Sequence, residues 1–196
     1  TVGLLEAIPP FPKLKAHWQD GVRNRPATEE EYRKMLAVAN RHYQRLLSVI
    51  WFAGLRISEA VVLSWSEPPF QLDFTGRFPR FRIRADGQKA RRDELAPCTP
   101  DFVEWLNGLE DIRTGRVCGL QCDARSAVHS VSRIAKRADV PVTAHDLRRS
   151  FGTRWAQKVK APVLARLLRH RSIQTSLKYY VSQEADEIAE GLWGLS

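Results

Sequence analysis

The first candidate functional residue in this sequence is an arginine, Arg56, in an apolar stretch. Arg56 lies within residues 46–63, which are mostly apolar, and a charge in such surroundings needs a partner. Glu59, three residues later on the same helical face, provides one, so a purely structural ion pair explains Arg56 as well as a functional site does. A guanidinium held rigidly by Glu59 can also bind two phosphate oxygens at once. Arg56 alone does not decide between these interpretations.

Two histidines stand beside arginines further along the chain. His145 and Arg148 are three residues apart near the start of a predicted helix, which places both side chains on one face. Such a pair is often only a surface pair. Next to a phosphodiester, however, Arg148 would bind the non-bridging oxygens and His145 would exchange a proton or donate a hydrogen bond. His170, flanked by Arg169 and Arg171, is either a third donor or a helix C-cap.

The candidate nucleophile is one of two adjacent tyrosines, Tyr179 and Tyr180. Ile173, Leu177 and Tyr180 have the spacing of a buried helical stripe, so Tyr180 is predicted to lie in the core, whereas Tyr179 lies about 100° away from that stripe. A phenol with its usual pKa of about 10 becomes a useful nucleophile only if its proton is taken or cations stabilise the phenolate. The surrounding basic residues would supply those cations.

Lys89 is a weaker candidate. It follows Asp86-Gly87, a dipeptide typical of a hairpin turn between two strands. A lysine near the tip of a hairpin can reach into a groove, although exposed hairpin lysines are usually only solvated. Taken alone, Lys89 therefore indicates little.

Neither a metal nor an organic cofactor is predicted. Metal-dependent phosphoryl transfer usually needs clustered carboxylates, and residues 125–178 contain only Asp139 and Asp146. Cys118 and Cys122 lack the paired spacing of a zinc site, so buried or free thiols are favoured. The sequence also has no glycine-rich nucleotide-binding loop.

The net charge points to a polyanionic partner once it is located. The chain of 196 residues has 31 Lys and Arg against 22 Asp and Glu, a formal net charge of +9. Residues 125–178 contain 13 basic and two acidic side chains, so this quarter of the chain accounts for the whole excess. Because the basic residues alternate with apolar ones such as Phe151 and Leu164, the segment is predicted to be folded. A folded basic face indicates that these side chains bind nucleic acid rather than merely face solvent.

Composition and the remaining sequence exclude several classes of protein. With 43% hydrophobic and 27% charged residues, the chain is typical of a globular domain rather than a disordered or fibrous one. Its longest mostly apolar run, residues 46–55, is about half the roughly 20 residues of a membrane span. Without a secretory signal, and with three cysteines, it is predicted to be cytoplasmic and to have no membrane association.

The elements that must position these side chains are mostly helical. Thr28 and Glu31 form a capping box at the start of a helix that runs to about Asn40, and Gly54 is expected to end a second helix. Further helices are predicted over residues 57–65, 100–109, 125–138, 143–159, 162–169 and 172–181. Extended runs over residues 70–74, 78–84 and 89–95 predict one small antiparallel sheet. The predicted fold class is therefore mainly α with a three-stranded antiparallel sheet.

Three regions follow from this organisation. Residues 1–27 contain four prolines and are predicted to be a linker or arm. Residues 28–182 are predicted to form the functional domain, and residues 183–196 a short amphipathic tail that includes Leu192 and Trp193. The chain begins at Thr1 rather than Met, which favours a fragment of a longer protein.

Taken in order, the candidate residues resemble the catalytic set of the tyrosine recombinase (phage integrase) family. That set reads Arg, Lys, H-x-x-R, His or Trp, Tyr, and the resemblance covers residues 25–181. It is specific, since the Gly-Leu-Arg context of residues 54–56 and the nine-residue step from His170 to Tyr179 both agree with the family pattern. Arg169 is a departure, because the family usually has glycine there, and a local change rather than lost activity is expected. The matching residues in this chain are Arg56, Lys89, His145, Arg148, His170 and Tyr179.

The resemblance implies a mechanism that needs neither metal nor cofactor. Tyr179 would attack a DNA phosphodiester to give a 3′-phosphotyrosine and a free 5′-hydroxyl, while Lys89 would protonate the leaving oxygen. His145 would assist proton transfer at Tyr179. The phosphate oxygens would be bound by two arginines and a histidine, Arg56, Arg148 and His170.

The resemblance also implies partners for the chain. These are double-stranded DNA and further copies of the chain in a tetramer, with the C-terminal tail docking on a neighbouring copy and a DNA-clamping domain preceding residues 1–27. Two other functions stay open. One is a DNA-binding module of this fold without catalysis, and the other is an enzyme similar to type IB topoisomerases, although His145 and the small size favour a recombinase.

Overall fold

The computed structural model describes residues 25–84, 94–109, 113–170 and 172–181. Within these ranges the chain folds into eight helices and one three-stranded antiparallel sheet, which confirms the predicted fold class. The helices are α1 (Glu29–Val38), α2 (Arg41–Ala53), α3 (Ile57–Val62), α4 (Pro100–Asn107), α5 (Ala124–Arg137), α6 (Ala144–Ala156), α7 (Ala161–Leu167) and α8 (Ile173–Val181). The strands are β1 (Phe70–Asp73), β2 (Arg80–Ile83) and β3 (Glu94–Pro97).

Local signals explain where the first two helices begin and end. Thr28 caps α1, its side chain accepting from the Glu31 N–H while the Glu31 carboxylate accepts from the Thr28 N–H, so the predicted capping box is present. Gly54 ends α2 with φ of +60°, a left-handed conformation that favours glycine. The side chains of α2 that face the core, such as Leu46 and Ile50, are fully buried.

The centre of the main core lies between α2 and α6. Leu147 of α6 is fully buried within this core, and the guanidinium of Arg154 stacks 3.9 Å from the ring of Trp51 on α2. A second, smaller apolar cluster joins α6 to the C-terminal helices through Phe151, Leu164 and Leu168. This cluster fixes α6, α7 and α8 relative to one another.

The sheet has the strand order β1-β2-β3, with antiparallel pairing of Phe70 to Ile83 and of Phe81 to Ala96. These four side chains are buried. The third strand extends to Pro97, two residues beyond the predicted run 89–95, and residues 89–93 of that run lie outside the described residues. The predicted Asp86-Gly87 turn lies outside the described residues.

The sequence pattern overestimates α3. The prediction extended this helix to residue 65, but it ends at Val62 because Ser64 pairs with other parts of the chain. The N–H of Ser64 donates to the carbonyl of Phe70, and its hydroxyl donates to the carbonyl of Gly115 at 2.8 Å. Pairing of Ser64 with other segments therefore ends the helix earlier than its local sequence predicts.

The predicted stripe on α8 is wrong for two of its three members. Ile173 and Leu177 are 45% and 42% exposed, whereas the buried face of α8 contains Ser176, which is fully buried. Tyr180 is half-buried and donates its hydroxyl to the carbonyl of Val159. No helix among the described residues is long and apolar enough to cross a membrane.

Candidate active site

The glycine that ends α2 connects the two candidate arginines. Gly54 turns the chain so that Arg56 becomes the residue that precedes α3. The carbonyl oxygen of Gly54 accepts a 2.5 Å hydrogen bond from Nη1 of Arg148. A Cβ at residue 54 would lie 2.3 Å from the ring of Phe151, in addition to the strain of its positive φ. Glycine is therefore required here both by the turn and by the close approach of α6.

Arg148 is a buried cation. Only 3% of the residue is exposed, and its second guanidinium nitrogen, Nη2, donates to the carbonyl of Leu168 at the end of α7. Burial, reinforced by the neighbouring Arg169 and Arg56, lowers the pKa of Arg148 to about 9. The guanidinium is thus still charged at neutral pH, and it is held from two sides by backbone carbonyls.

Glu59 joins the arginines into one cluster. Its carboxylate accepts from the N–H of Arg56 at 2.7 Å and from Nη1 of the same residue at 3.1 Å, and it lies 3.8 Å from Nη1 of Arg148. Burial would raise the pKa of Glu59, but Arg169, the Arg56 N–H and Arg148 together lower it below its usual value. The structural ion pair considered for Arg56 exists, and it is part of a larger arrangement around the Glu59 carboxylate.

Arg169 is the third arginine of this cluster. Its Nη2 lies 2.7 Å from Oε2 of Glu59 and its Nε lies 3.4 Å from Oε1. Its carbonyl oxygen accepts from Nη2 of Arg56 at 3.3 Å. The backbone of Arg169 has φ of +49°, a left-handed conformation that suits glycine better than a residue with a side chain.

His170 and Tyr179 lie together at the same site. Their rings are nearly parallel, with centroids 6.3 Å apart. Nδ1 of His170 is hydrogen-bonded to the hydroxyl of Ser176 at 2.8 Å. Burial first, and then Arg148, Arg56 and Arg169, lower the pKa of His170 to about 4, so the imidazole is neutral at physiological pH.

Tyr179 reaches this position because α6 has a glycine opposite its ring. A Cβ on Gly152 would lie only 2.4 Å from Cε1 of Tyr179, so the ring of Tyr179 packs directly on the backbone of α6, one helical turn after Arg148. Burial raises the pKa of Tyr179, and Arg148 and Arg149 partly oppose this effect. The phenol is therefore protonated at neutral pH.

His145 lies exposed in the first turn of α6. Partial desolvation, followed by repulsion from Arg149 and Arg148, lowers the pKa of His145 below its usual value. The intervening Asp146 serves the helix itself, since its carboxylate accepts from the N–H of Thr143 and pairs with Arg149. His145 is thus a neutral imidazole beside a group of cations.

The structure brings five of the six predicted site residues to one place, namely Arg56, His145, Arg148, His170 and Tyr179. The sixth, Lys89, lies outside the described residues. The sequence interpretation missed Ser176 and the side chain of Arg169. Residue type alone gave no sign of Ser176, whereas Arg169 was marked by its departure from glycine.

The three cysteines are buried or partly buried thiols. Burial raises the pKa of the Cys98 thiol and that of the Cys118 thiol to about 12, and Cys118 donates its thiol proton to the carbonyl of Ala60. All three cysteines, Cys98, Cys118 and Cys122, are free. Among the described residues, no group of three or more His, Cys, Asp or Glu side chains is arranged to bind a metal ion.

The family model of the phage integrase family matches residues 26–187, so the chain belongs to this family. Related sequences include a tyrosine recombinase of Thermosipho africanus, 26% identical over 165 residues, and the tyrosine recombinase XerA of Pyrococcus horikoshii, 24% identical over 164 residues. Both alignments cover 78% of this chain and 55% of the relative. The chain therefore spans about half the length of these relatives.

Solved structures agree on the fold. The crystal structure of XerA recombinase superimposes with a TM-score of 0.59 at 18% identity, covering 85% of this chain and 62% of the other. The catalytic domain of bacteriophage HP1 integrase gives a TM-score of 0.57, also at 18% identity, and covers 85% of this chain and 92% of the other. The chain thus has the fold of a tyrosine recombinase catalytic domain.

Proposed function

We propose that this chain is the catalytic domain of a site-specific DNA recombinase that cleaves and rejoins DNA through a 3′-phosphotyrosine intermediate. The observation that carries the proposal is the buried Arg148 guanidinium, held by two carbonyls beside Arg56, His170 and Tyr179. A fixed cation beside a phenol suits a reaction in which negative charge develops on a phosphate. Residues 28–182 would form this domain.

The proposed step forms one bond to phosphorus and breaks another. Oη of Tyr179 attacks the phosphorus as its proton passes to a base, and the bond from phosphorus to the 5′-oxygen breaks. That oxygen leaves as a hydroxyl after taking a proton, for which Lys89 is the proposed donor. One phosphoester replaces another, so the reverse attack by a 5′-hydroxyl rejoins the strand and no cofactor or metal is proposed.

The two histidines take different parts in this proposal. His145 is neutral at physiological pH because its pKa is lowered, so it is able to assist removal of the proton from Tyr179. His170 is also neutral. With its Nδ1 hydrogen-bonded to Ser176, it would donate a hydrogen bond from Nε2 to a phosphate oxygen.

Double-stranded DNA is the proposed partner. The basic excess lies in residues 125–178, on α5 to α8 and their connections. Solved relatives with the same fold include a transposon integrase in complex with transposon end DNA and the recombinase XerH bound to its substrate difH.

We also propose that the chain forms a tetramer on DNA, with residues 183–196 in contact between copies. The proposed location is cytoplasmic, in keeping with three free cysteines.

The test of this proposal is a covalent trap. The 196-residue chain is incubated with nicked duplexes cut from the DNA that flanks its coding sequence, and adducts that survive denaturation are counted. The wild type and Tyr180→Phe should form the adduct, whereas Tyr179→Phe should form none. Tyr180→Phe is a matched control because its hydroxyl is engaged with the Val159 carbonyl.

Two results would contradict the proposal. An adduct that survives in Tyr179→Phe would show that another residue is the nucleophile. Binding of the duplexes by the wild type without any adduct would favour a DNA-binding module of the same fold.

A further inference from the structure

Arg169 occupies a backbone conformation that is unfavourable for its residue type. Its φ of +49° lies in the left-handed region, which is strained for a residue with a Cβ and unstrained for glycine. Its side chain is nevertheless only 6% exposed although it carries a full charge. A strained backbone and a buried charge persist together only where other contacts compensate for both.

Those contacts converge on the candidate active site. The guanidinium of Arg169 approaches both carboxylate oxygens of Glu59, at 2.7 Å and 3.4 Å. The turn that it forms with Leu168 presents two successive carbonyls. The carbonyl of Leu168 accepts from Arg148, and the carbonyl of Arg169 accepts from Arg56. One turn therefore contacts both arginines through its backbone and their shared carboxylate through its side chain.

The charges of this cluster show what the side chain adds. Without Arg169, the Glu59 carboxylate would offset one of two guanidiniums, and the pair Arg56 and Arg148 would present a net charge of about +1 to a phosphate. With Arg169 bound to the same carboxylate, three guanidiniums and one carboxylate retain about +2. In a partly buried site this additional positive charge attracts a phosphate strongly, because screening by water is weak there.

The side chain of Arg169 is only 6% exposed and is bound to Glu59, so it is not placed to touch the substrate. We propose that Arg169 is a positioning residue that neutralises Glu59 and thereby leaves Arg56 and Arg148 free to bind the scissile phosphate. The inference rests on the proposed recombinase function. It gives the candidate active site of this chain a third arginine beside Arg56 and Arg148.

The experiment compares Arg169→Gly with Arg169→Lys. Glycine adopts a φ of +49° without strain, so the turn should be retained while the charge is removed. Lysine keeps both the charge and the backbone strain, which makes it the matched control. The single-turnover rate of adduct formation on the nicked duplexes should fall at least tenfold in Arg169→Gly and severalfold less in Arg169→Lys.

Two further measurements separate positioning from a general loss of structure. Removing Arg169 takes away one of the cations that lower the pKa of His170, so an NMR titration of His170 should give a higher pKa in Arg169→Gly than in the wild type and a smaller change in Arg169→Lys. If Arg169 acts through Glu59, its loss should slow the reaction much less in a Glu59→Gln background, since the carboxylate charge is already absent there.

The outcomes distinguish this inference from the function on which it rests. A wild type that forms no adduct on any duplex contradicts the proposed recombinase function. A wild type that forms the adduct while Arg169→Gly reacts equally fast overturns the role of Arg169 and leaves the recombinase intact. Equal slowing by Arg169→Gly in the wild-type and Glu59→Gln backgrounds would also overturn it.

Discussion

At the scale of single residues, the candidate site consists of side chains held by groups that do not themselves react. Arg148 is held by the carbonyls of Gly54 and Leu168, and His170 is held by the hydroxyl of Ser176. These supports fix the orientation of side chains that would otherwise have several rotamers. The sequence predicted Arg148 and His170 from their types and order, but it could not predict Ser176, because a serine becomes a partner only through the way the helix packs.

Removing the hydroxyl of Ser176 should slow the reaction while leaving the fold intact. In Ser176→Ala, Nδ1 of His170 loses its partner, so the imidazole loses a fixed tautomer and orientation. A hydrogen bond of this kind is worth about 1 kcal/mol, which corresponds to a rate of adduct formation lower by about fivefold. Ser176→Thr keeps the hydroxyl and should restore most of the rate. An unchanged rate in Ser176→Ala would show that this hydrogen bond does not matter.

The pH dependence of adduct formation should follow His145. Its pKa is lowered from 6.5, so the neutral, proton-accepting form predominates at neutral pH and declines as the pH falls through the lowered pKa. His170 protonates only near its pKa of about 4. Single-turnover rates at pH 5 to 8 should therefore be flat in the upper part of this range and fall at the acid end. His145→Gln should lower the plateau and remove the acid limb, and a wild-type rate that rises as the pH falls would contradict this role.

At the scale of elements, the site depends on α6 and α8 meeting at a glycine. Sequence signals at helix ends were reliable where they are local, as at Thr28 and Gly54. They failed where distant contacts decide the outcome, as at Ser64, where pairing with other segments ends α3 early. The expected stripe on α8 failed for a related reason, because this helix buries Ser176 against His170 and leaves Leu177 exposed.

Gly152→Ala should separate helix stability from catalysis. Alanine favours the helical interior by about 1 kcal/mol relative to glycine, but its Cβ would lie 2.4 Å from Cε1 of Tyr179, so the nucleophile must move. A displacement of about 1 Å at a reacting group costs about 100-fold in rate. Circular dichroism should show the helix content retained while adduct formation falls by about that factor.

Gly108→Ala is the matched control for this change. Gly108 ends α4 with a negative φ, and a Cβ there would lie 3.5 Å from its nearest neighbour, the carbonyl oxygen of Trp105. This variant should react at the wild-type rate. If Gly152→Ala also reacts at the wild-type rate, Tyr179 does not need the close approach to α6.

At the scale of the whole molecule, charge and site are separate properties. The excess of basic residues lies within 125–178, but Arg56 and Glu59 come from a part of the chain with no such excess. Net charge therefore predicted the class of partner and could not locate the site, whereas the order of residue types along the chain did so. The site is assembled by packing α3, α6, α7 and α8 together.

The strength of DNA binding should depend steeply on salt. Each phosphate neutralised by the basic residues contributes about 0.9 to the slope of log affinity against log salt concentration, because bound counterions are released. A titration with a duplex at several salt concentrations should give a slope of several units in magnitude. Tyr179→Phe should give the same slope, since it changes no charge. A flat titration would contradict DNA binding by the basic segment.

In the proposed reaction Tyr179 becomes covalently joined to a DNA phosphate. The most direct measurement is to digest the wild-type adduct with protease and nuclease and to locate the attached nucleotide by tandem mass spectrometry. The nucleotide should be joined through its 3′-phosphate to the oxygen of Tyr179. Attachment to Tyr180 or to any other residue, or through a 5′-phosphate, would contradict the proposed reaction.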